Sequence, residues 1–401
     1  MILPNIEGLH KLGDTPCLRI GVPRINQLIR APANRLGGRG GGALSFVGSC
    51  LAMIALLVSS GMAATIIGFE APSGEVFATT DISDDGSAVT GEPGALRWTQ
   101  SGGSRDLTLL PGGTYNKAEA LTANGSTVVG WGDSSAGTRG WLWREATGFQ
   151  ILSPLAGGTS SLAFGVNRDG SVVVGSSGNR AVRWVGGTAQ NLGVVSGGSF
   201  SIAFGVNSDG SVVCGYNRVG ANNRAFRWTV AGGMQDLGVL PGKTQSISNA
   251  VSADGQVVVG GSHTSLGGSS VAFRWTVGGG MQSLGTLGTM DSIGFDLTGD
   301  GSTVVGSSGD KAFLWTASLG MVDLNTYLPS LGLDLTGWKL EYAAGISTDG
   351  SSIVGNGLYQ GQQTAFLVQG IVPEPSSALL AFAAGIAVML RRERRVPSRP
   401  I

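Results

Sequence analysis

The segment AFGVNRDGSVVVGSSGNRAVRW at residues 163–184 decides the fold, because the chain repeats it with small changes. A close copy, AFGVNSDGSVVCGYNRVGANNRAFRW, follows at 203–228. Its Asp-Gly pair recurs as Asp-Gly or Asn-Gly with spacings of 39, 45, 40, 45, 46 and 49 residues. The seven pairs begin at Asp85, Asn124, Asp169, Asp209, Asp254, Asp300 and Asp349. A regular period of this size indicates a repeat architecture, here seven units of about 44 residues.

Each unit contains four short β-forming runs. A β-branched run follows the Asp-Gly pair, such as SVVVG at 171–175, and this order predicts a tight hairpin turn with positive φ at both central positions. The third run reaches a tryptophan in six units and Val368 in the seventh. A Gly-rich turn and a fourth run, such as MQDLG at 234–238, complete the unit. The six tryptophans are Trp98, Trp143, Trp184, Trp228, Trp275 and Trp315.

Four strands in about 44 residues are typical of a β-propeller blade, and seven blades form a common closed ring. A solenoid would need capping repeats, and the sequence shows none. The seventh unit ends near Gly370 after its third strand, while residues 65–70 align with the fourth strand of a unit. We therefore predict an all-β, seven-bladed, monomeric propeller over residues 65–370, in which the N-terminal strand completes the last blade.

Charge divides the chain into three parts. The 26 basic and 26 acidic residues are distributed as +4 over residues 1–64, −7 over 65–370 and +3 over 371–401. The 69 glycines and the 13% of charged residues exclude an ordinary helical or α/β enzyme composition. An acidic middle lacks the basic surface that nucleic acid requires, so we expect no nucleic-acid partner. Its one cysteine, Cys214, is predicted to be a small apolar strand residue.

Residues 1–64 have the features of a leader that contains a secretory signal peptide. The uncharged run ALSFVGSCLAMIALLV at 43–58 follows two arginines and precedes small residues, which predicts cleavage by signal peptidase near Ala63 or Ala64. A lipoprotein box ending at Cys50 is the alternative, but most of the apolar run follows that cysteine. Residues 1–34 have no role in this scheme, and a misassigned start codon would explain them.

The C-terminal segment, residues 371–401, combines three elements in order. A Pro-Glu-Pro element precedes the apolar run ALLAFAAGIAVML at 378–390, which predicts a short membrane helix, and an arginine cluster follows it. This order resembles the PEP-CTERM sorting signal of bacterial surface proteins. The resemblance implies an exosortase, a membrane transpeptidase, as a partner, transient anchoring by the helix, and delivery to the cell surface or the extracellular matrix. The residues of this predicted signal are Val372, Pro373, Glu374, Pro375, Arg391, Arg392, Arg394 and Arg395.

The repeats resemble the HAF repeats of bacterial extracellular proteins. The matching segments are LGVLPG at 237–242, DGSVVVG at 169–175 and AFRW at 225–228. The histidine that names the repeat is replaced by Arg224, Val271 or Lys311, so no role of that residue transfers. The resemblance implies repetition and export, and it implies no activity.

Residues for acid-base or metal chemistry are scarce. The two histidines are His10 in the leader and His263, which we predict to be an exposed loop residue rather than a ligand or a base. No GxSxG motif with partners is present. We therefore predict no catalytic residue, no cofactor and no metal site.

Two other patterns have a functional and a structural interpretation. The positions Asp81, Ser83, Asp85, Gly86 and Glu92 fit the spacing of a calcium-binding EF-hand loop, but the flanking segments are strand-like and hairpin-turn chemistry is favoured. Four arginines precede tryptophans and either bind acidic sugars or are solvated or paired with neighbouring acids. They are Arg97, Arg183, Arg227 and Arg274.

These observations predict an exported, non-enzymatic structural or binding module. Surface exopolysaccharide is the ligand that the resemblance to PEP-CTERM proteins implies. The alternative is a secreted propeller hydrolase or lyase that acts on glycans. Three or more acids clustered with His263 or an arginine at one mouth of the channel would favour the enzyme, whereas acids scattered over hairpin tips would favour the module.

The predicted sorting signal is tested by Glu374→Ala. If an exosortase processes the chain near this residue, the variant should accumulate as uncut precursor in the membrane fraction, measured by immunoblot of fractionated cells. Ser377→Ala is the matched control and should be processed normally. Normal processing of the Glu374 variant would contradict the assignment.

Overall fold

The computed structural model describes residues 64–265, 268–288 and 291–371. These residues form seven four-stranded antiparallel sheets, the blades of a β-propeller, which confirms the predicted fold. The leader, the cleavage residue Ala63, the sorting signal and both predicted terminal helices lie outside the described residues, and Ala64 is the first residue described. Within the described ranges, no helix is long and apolar enough to span a membrane.

The strands of blades 1 to 3 follow one another in chain order, each blade beginning with its innermost strand. Blade 1 contains β2 (Ala78–Ile82), β3 (Ala88–Glu92), β4 (Leu96–Thr99) and β5 (Gly103–Asp106). Blade 2 contains β6 (Asn116–Leu121), β7 (Thr127–Gly132), β8 (Arg139–Arg144) and β9 (Gly148–Leu152). Blade 3 contains β10 (Leu162–Val166), β11 (Val172–Ser177), β12 (Arg180–Val185) and β13 (Thr188–Asn191).

Blades 4 to 6 have the same order. Blade 4 contains β14 (Gly198–Val206), β15 (Val212–Val219), β16 (Asn222–Thr229) and β17 (Gly233–Asp236). Blade 5 contains β18 (Gln245–Val251), β19 (Val257–His263), β20 (Ser270–Thr276) and β21 (Gly280–Gly285). Blade 6 contains β22 (Ile293–Leu297), β23 (Thr303–Ser308), β24 (Lys311–Thr316) and β25 (Gly320–Asp323).

Blade 7 joins the two ends of the propeller. It contains β26 (Trp338–Ile346), β27 (Ser352–Tyr359), β28 (Gln362–Gln369) and, as its outermost strand, β1 (Thr65–Phe69). Thr65 pairs with Gln369 and Phe69 pairs with Ala365. The predicted closure by the N-terminal strand is therefore confirmed, and it satisfies an edge of β28 that would otherwise be exposed.

One helix, α1 (Leu324–Ser330), was not predicted from the sequence. It lies in the connection between blades 6 and 7, and the Asp323 side chain caps it by accepting a hydrogen bond from the Asn325 N–H at 2.9 Å. Leu324 and Leu328 are buried, so the helix covers part of the core between these two blades.

The Asp-Gly turns join the first and second strands of every blade, but their geometry differs from the prediction. In blade 1 the Gly86 N–H donates to the Ser83 carbonyl at 2.9 Å, and Gly86 has φ of 69°. Asp85 is not among the described residues with positive φ. The expectation of positive φ at both central positions is therefore wrong. Only the glycine is left-handed, and it follows a turn whose two central residues keep ordinary φ values.

Aspartate stabilises these turns by accepting a backbone hydrogen bond. The Asp85 carboxylate accepts the Ser87 N–H at 3.0 Å and the Ser83 hydroxyl at 2.7 Å. The other six turns have the same backbone bond from the residue two positions later, at 2.9 to 3.1 Å. This is the hairpin-turn role that was favoured for the Asp-Gly pairs.

The core of the described region consists of seven hydrophobic clusters, each lying between adjacent blades. Between blades 3 and 4, Val172 packs with Val213, Phe226 and Trp228. The repeated tryptophan is buried in all six blades that have it, with 1% to 8% of its surface exposed. Burial of each aromatic residue therefore stabilises an interface between blades.

The arginines that precede tryptophans also join blades. The Nε atoms of Arg97, Arg227 and Arg274 donate to carbonyls at 2.8, 2.8 and 3.0 Å. The acceptors are the turn glycines of the following blade, Gly125, Gly255 and Gly301. The structure thus adds a structural role between blades that neither expectation for these three residues included.

Arg183 differs from these three arginines. Its buried Nε has no hydrogen-bond partner among the described residues, and its guanidinium lies 5.7 Å from the centre of the Trp228 ring. This cation–π contact also crosses between blades 3 and 4.

The closure of the ring is tested by Phe69→Ala. Phe69 has 7% of its surface exposed and stacks on Trp98 of blade 1 at 4.6 Å. We expect the variant to lower the free energy of unfolding by about 3 kcal/mol, since it removes a buried aromatic side chain. Chemical denaturation measures the change. The control Thr65→Ala changes the exposed start of the same strand and should leave the free energy of unfolding nearly the same. A Phe69→Ala variant as stable as the parent would show that β1 does not stabilise the ring.

Candidate functional site

The seven innermost strands line the central channel, and each contains a β-bulge at the same place. The register shifts lie between positions six and four residues before the Asp or Asn of the turn, as between Thr79 and Asp81 in blade 1. A bulge leaves one residue unpaired and redirects its side chain. We call these unpaired residues the bulge ring: Thr80, Glu119, Phe164, Phe204, Asn249, Phe295 and Ala344.

The bulge ring surrounds a cavity of about 210 Å³ in the channel. All seven of its residues line this cavity, together with Asp81 and Asp296 one position later. Three phenylalanines therefore face three carboxylates and two polar side chains in one enclosure. The cavity has room for a group the size of a single sugar ring or for several water molecules.

Asp81 ties blade 1 to blade 2. Its Oδ1 accepts the Ile82 N–H at 2.8 Å and its Oδ2 accepts the Leu121 N–H of β6 at 3.0 Å. Burial, together with the negative charge of Asp296, raises the pKa of Asp81 to about 8, although the two N–H donors oppose this shift. Both carboxylate oxygens are thus used within the fold.

Asp296 of blade 6 and Asn249 of blade 5 also link their blades to the following ones. The Asp296 Oδ2 accepts the Ile346 N–H of blade 7 at 2.9 Å, and burial raises the pKa of Asp296 to about 6. The Asn249 Nδ2 donates to the Gly294 carbonyl of blade 6 at 2.8 Å. Side chains at the bulge therefore bridge neighbouring blades at three places around the channel.

Glu119 belongs to a buried ion cluster. Its Oε1 lies 3.3 Å from the Lys117 Nζ and accepts the Trp131 indole N–H at 2.8 Å. The Lys117 Nζ also lies 2.8 Å from Glu92 Oε1, and Lys117 has only 4% of its surface exposed. Burial raises the pKa of Glu119, whereas the positive charge of Lys117 opposes the rise. The cluster holds the Glu119 carboxylate in a fixed position on the channel wall.

A row of aromatic rings leads away from the bulge ring along blades 3 and 4. The ring centres of Phe164 and Phe204 are 5.4 Å apart, and Tyr216 lies 5.8 Å from Phe204 and 6.0 Å from Phe200. Arg218 lies over Phe200 at 5.6 Å. Since Phe200 precedes Phe204 on β14, the row runs toward the end of the channel opposite the Asp-Gly turns. We call that end the loop face.

At the other end of the channel, which we call the turn face, the Asp-Gly turns of different blades contact one another. The Arg168 guanidinium of blade 3 lies 3.1 Å from the Asp84 carboxylate of blade 1. Neighbouring turns are also linked by backbone hydrogen bonds, as from Ala253 to Gly299 and from Gly299 to Thr348, each 2.9 Å long. The charged side chains of Arg168 and Asp84 are therefore paired with each other at the turn face.

The structure corrects one prediction and agrees with another. His263 is not an exposed loop residue: it lies at the end of β19 with 8% of its surface exposed, and burial lowers its pKa. The Gly-Gly-Ser run before it looked like a loop, but β19 continues through these residues to His263. Cys214 is fully buried in β15, as predicted, and burial raises the pKa of its thiol to about 12.

The EF-hand interpretation does not fit the structure. Asp81 points into the channel, whereas the Asp85 carboxylate is used by its own turn. Across the described ranges, no group of three or more His, Cys, Asp or Glu residues is arranged to hold a metal ion.

The sequence-based reasoning missed the bulge ring. Its members differ in type, so they show no conserved chemistry to recognise. Only their position in the repeat could have identified them, since each lies five residues before the Asp or Asn of the turn.

Comparisons with known proteins support the fold. No family model matches the chain, and no curated protein matches it. Among solved structures, an oligogalacturonate lyase from Vibrio parahaemolyticus is similar, with a TM-score of 0.50 and 9% identity over 78% of this chain and 98% of that one. Virginiamycin B lyase from Staphylococcus aureus has a TM-score of 0.49 and 13% identity over 76% of this chain and 99% of that one. TolB from Acinetobacter baumannii has a TM-score of 0.40 and 13% identity over 84% of this chain and 72% of that one. At 9% identity, the likeness to the oligogalacturonate lyase shows a shared fold and nothing about activity.

The raised pKa of Asp81 predicts a pH dependence of stability. Because the folded protein binds this proton more tightly than the unfolded chain, the stabilisation is complete in acid and is lost as the pH rises through about 8. Between pH 7 and 8.5 we expect a loss of about 1 kcal/mol in the free energy of unfolding. Urea denaturation at both values measures it.

Asp81→Asn supplies the comparison for this experiment. The variant cannot titrate at position 81, so its stability should change less over the same pH interval, whatever its absolute value. An equal slope in both proteins would show that another group controls the pH dependence. His263 does not interfere, since its lowered pKa places its titration below this interval.

Proposed function

We propose that the protein is an exported, non-enzymatic module that binds surface polysaccharide through the loop face of its propeller. Export and surface delivery rest on the leader and on the tail that resembles a PEP-CTERM signal. The single observation that carries the binding role is the aromatic row from Phe164 to Phe200, which begins in the channel and leads outward. Aromatic faces joined to a few fixed polar groups are the usual lining of binding sites, and the apolar faces of sugar rings pack on them.

The carboxylates of the channel support binding rather than catalysis. Asp81 and Asp296 accept backbone N–H groups of adjacent blades, and Glu119 is held by Lys117 and Trp131. A general acid or base must exchange its proton with a substrate, but these groups already hold structural partners.

A second candidate, a glycan hydrolase, is favoured by one specific observation. Three acids line one cavity, and burial raises the pKa of Asp81 above that of Asp296. Two carboxyl groups with separated pKa values are what glycosidic cleavage uses. In this alternative, Asp81 is the proton donor.

A glycan array with the purified protein, followed by analysis of the bound glycans, distinguishes the two candidates. We expect retention of polysaccharide without release of shorter products. Phe200→Ala should weaken retention about tenfold, which corresponds to about 1.4 kcal/mol. The control Ile151→Ala removes an exposed side chain of blade 2 and should retain binding.

Two results would contradict the binding module. Product release that Asp81→Asn abolishes would establish the hydrolase instead. Retention that is equal in the Phe200 and Ile151 variants would remove the aromatic row from the binding face.

A further inference from the structure

Blade 7 contains a surface groove that is separate from the channel cavity. It lies where β1, β27 and β28 meet the start of β26, and it encloses about 640 Å³. We call it the clasp groove and define it by Gly68, Glu70, Trp338, Tyr359, Gln360 and Gln362. Trp338 and Tyr359 form its floor, with ring centres 4.8 Å apart.

The aromatic floor of blade 7 has no counterpart at the same position of blade 4. Trp338 and Tyr359 are paired across β26 and β27, and the equivalent pair in blade 4 is Gly198 and Val219. Tyr359 has 40% of its surface exposed, although a large aromatic side chain would gain by burial. Blade 7 therefore presents two aromatic rings where blade 4 presents none.

Gly68 keeps the groove open. In blades 4 and 6 the equivalent strand position holds Asp236 and Asp323, which form ion pairs with Arg224 and Lys311. A Cβ atom at Gly68 would lie 3.1 Å from the Trp338 ring and 3.2 Å from Thr364. The strand that closes the ring has thus lost the acid of this ion pair, and the tryptophan occupies the space beside it.

Gln360 has a backbone conformation that side chains rarely adopt. Its φ is 50°, whereas the corresponding turns of blades 3, 4 and 6 place Gly178, Gly220 and Gly309 there with φ of 54°, 58° and 61°. A side chain in this conformation is strained, and strain of this kind is concentrated at functional sites. Gln360 keeps a side chain at this turn and lines the groove, whereas the corresponding glycines offer none.

We propose that the clasp groove binds the sugar rings of a neutral polysaccharide, an inference that rests on the proposed function but uses a different surface. The aromatic floor offers faces for the apolar sides of pyranose rings, and the two glutamines offer donors and acceptors for hydroxyl groups. Glu70 is the charged residue in the lining, so the groove repels acidic polymers. The groove shares no lining residue with the channel cavity, so it supplies a second, separate contact at the strand that closes the ring.

Affinity electrophoresis of the purified protein tests this proposal. The gels contain hydroxyethylcellulose, galactomannan or dextran as neutral probes and alginate as the acidic probe. We expect at least one neutral polymer to retard the protein and alginate to give no retardation through this groove. Tyr359→Ala should weaken that retardation at least tenfold.

Gln360→Gly is the most informative variant, because it separates binding from stability. Removal of the strain should leave the melting temperature equal or higher, while loss of the amide should weaken retardation about threefold to tenfold. Tyr115→Ala is the matched control, since Tyr115 on blade 2 has 42% of its surface exposed. It should bind as the parent does.

The results also separate this inference from the proposed function. Retardation that survives Tyr359→Ala but is lost in Phe200→Ala would overturn the groove and leave the channel proposal standing. Retardation lost in Tyr359→Ala but retained in Phe200→Ala would support the groove alone. No retardation by any neutral polymer, or retention by alginate that Tyr359→Ala removes, would overturn the clasp groove.

Discussion

Closure of the ring by the β1–β28 pair is the constraint on which the rest of the structure depends. Every other blade completes itself from consecutive strands, but blade 7 needs five residues from the opposite end of the chain. Phe69 on that strand packs against Trp98 of blade 1, so the same short segment also fixes the first blade. Because each blade packs on two neighbours, one missing strand would expose a sheet edge and loosen two interfaces.

The interfaces are held by a repeated set of contacts that differ in detail. Buried tryptophans and phenylalanines supply the apolar stabilisation, and arginine Nε atoms bond the turn glycines of the following blade. The channel adds polar ties from Asp81, Asn249 and Asp296. A carboxylate buried for this purpose has a raised pKa, which explains how an acid-lined channel can be structural.

Both surfaces that we propose for binding lie where the repeats differ from one another. The bulge ring places phenylalanine in blades 3, 4 and 6 and polar or small residues in the other four, so the channel wall is uneven around the ring. The clasp groove arises because β1 supplies Gly68 where blades 4 and 6 have an acid. Identical repeats would give a uniform ring, whereas these departures create the two distinct surfaces for which we propose sugar binding.

The sequence by itself determined the number of blades, the four strands of each and the closure, because these follow from a period of about 44 residues and an incomplete last unit. The helix α1 and the burial of His263 were decided by tertiary packing, whereas the turn geometry was decided by hydrogen bonds within each turn. The bulge ring and the clasp groove were also beyond sequence patterns. Their residues are distant in the chain and unlike in type, and only the curvature of the ring and the pairing of its ends bring them together.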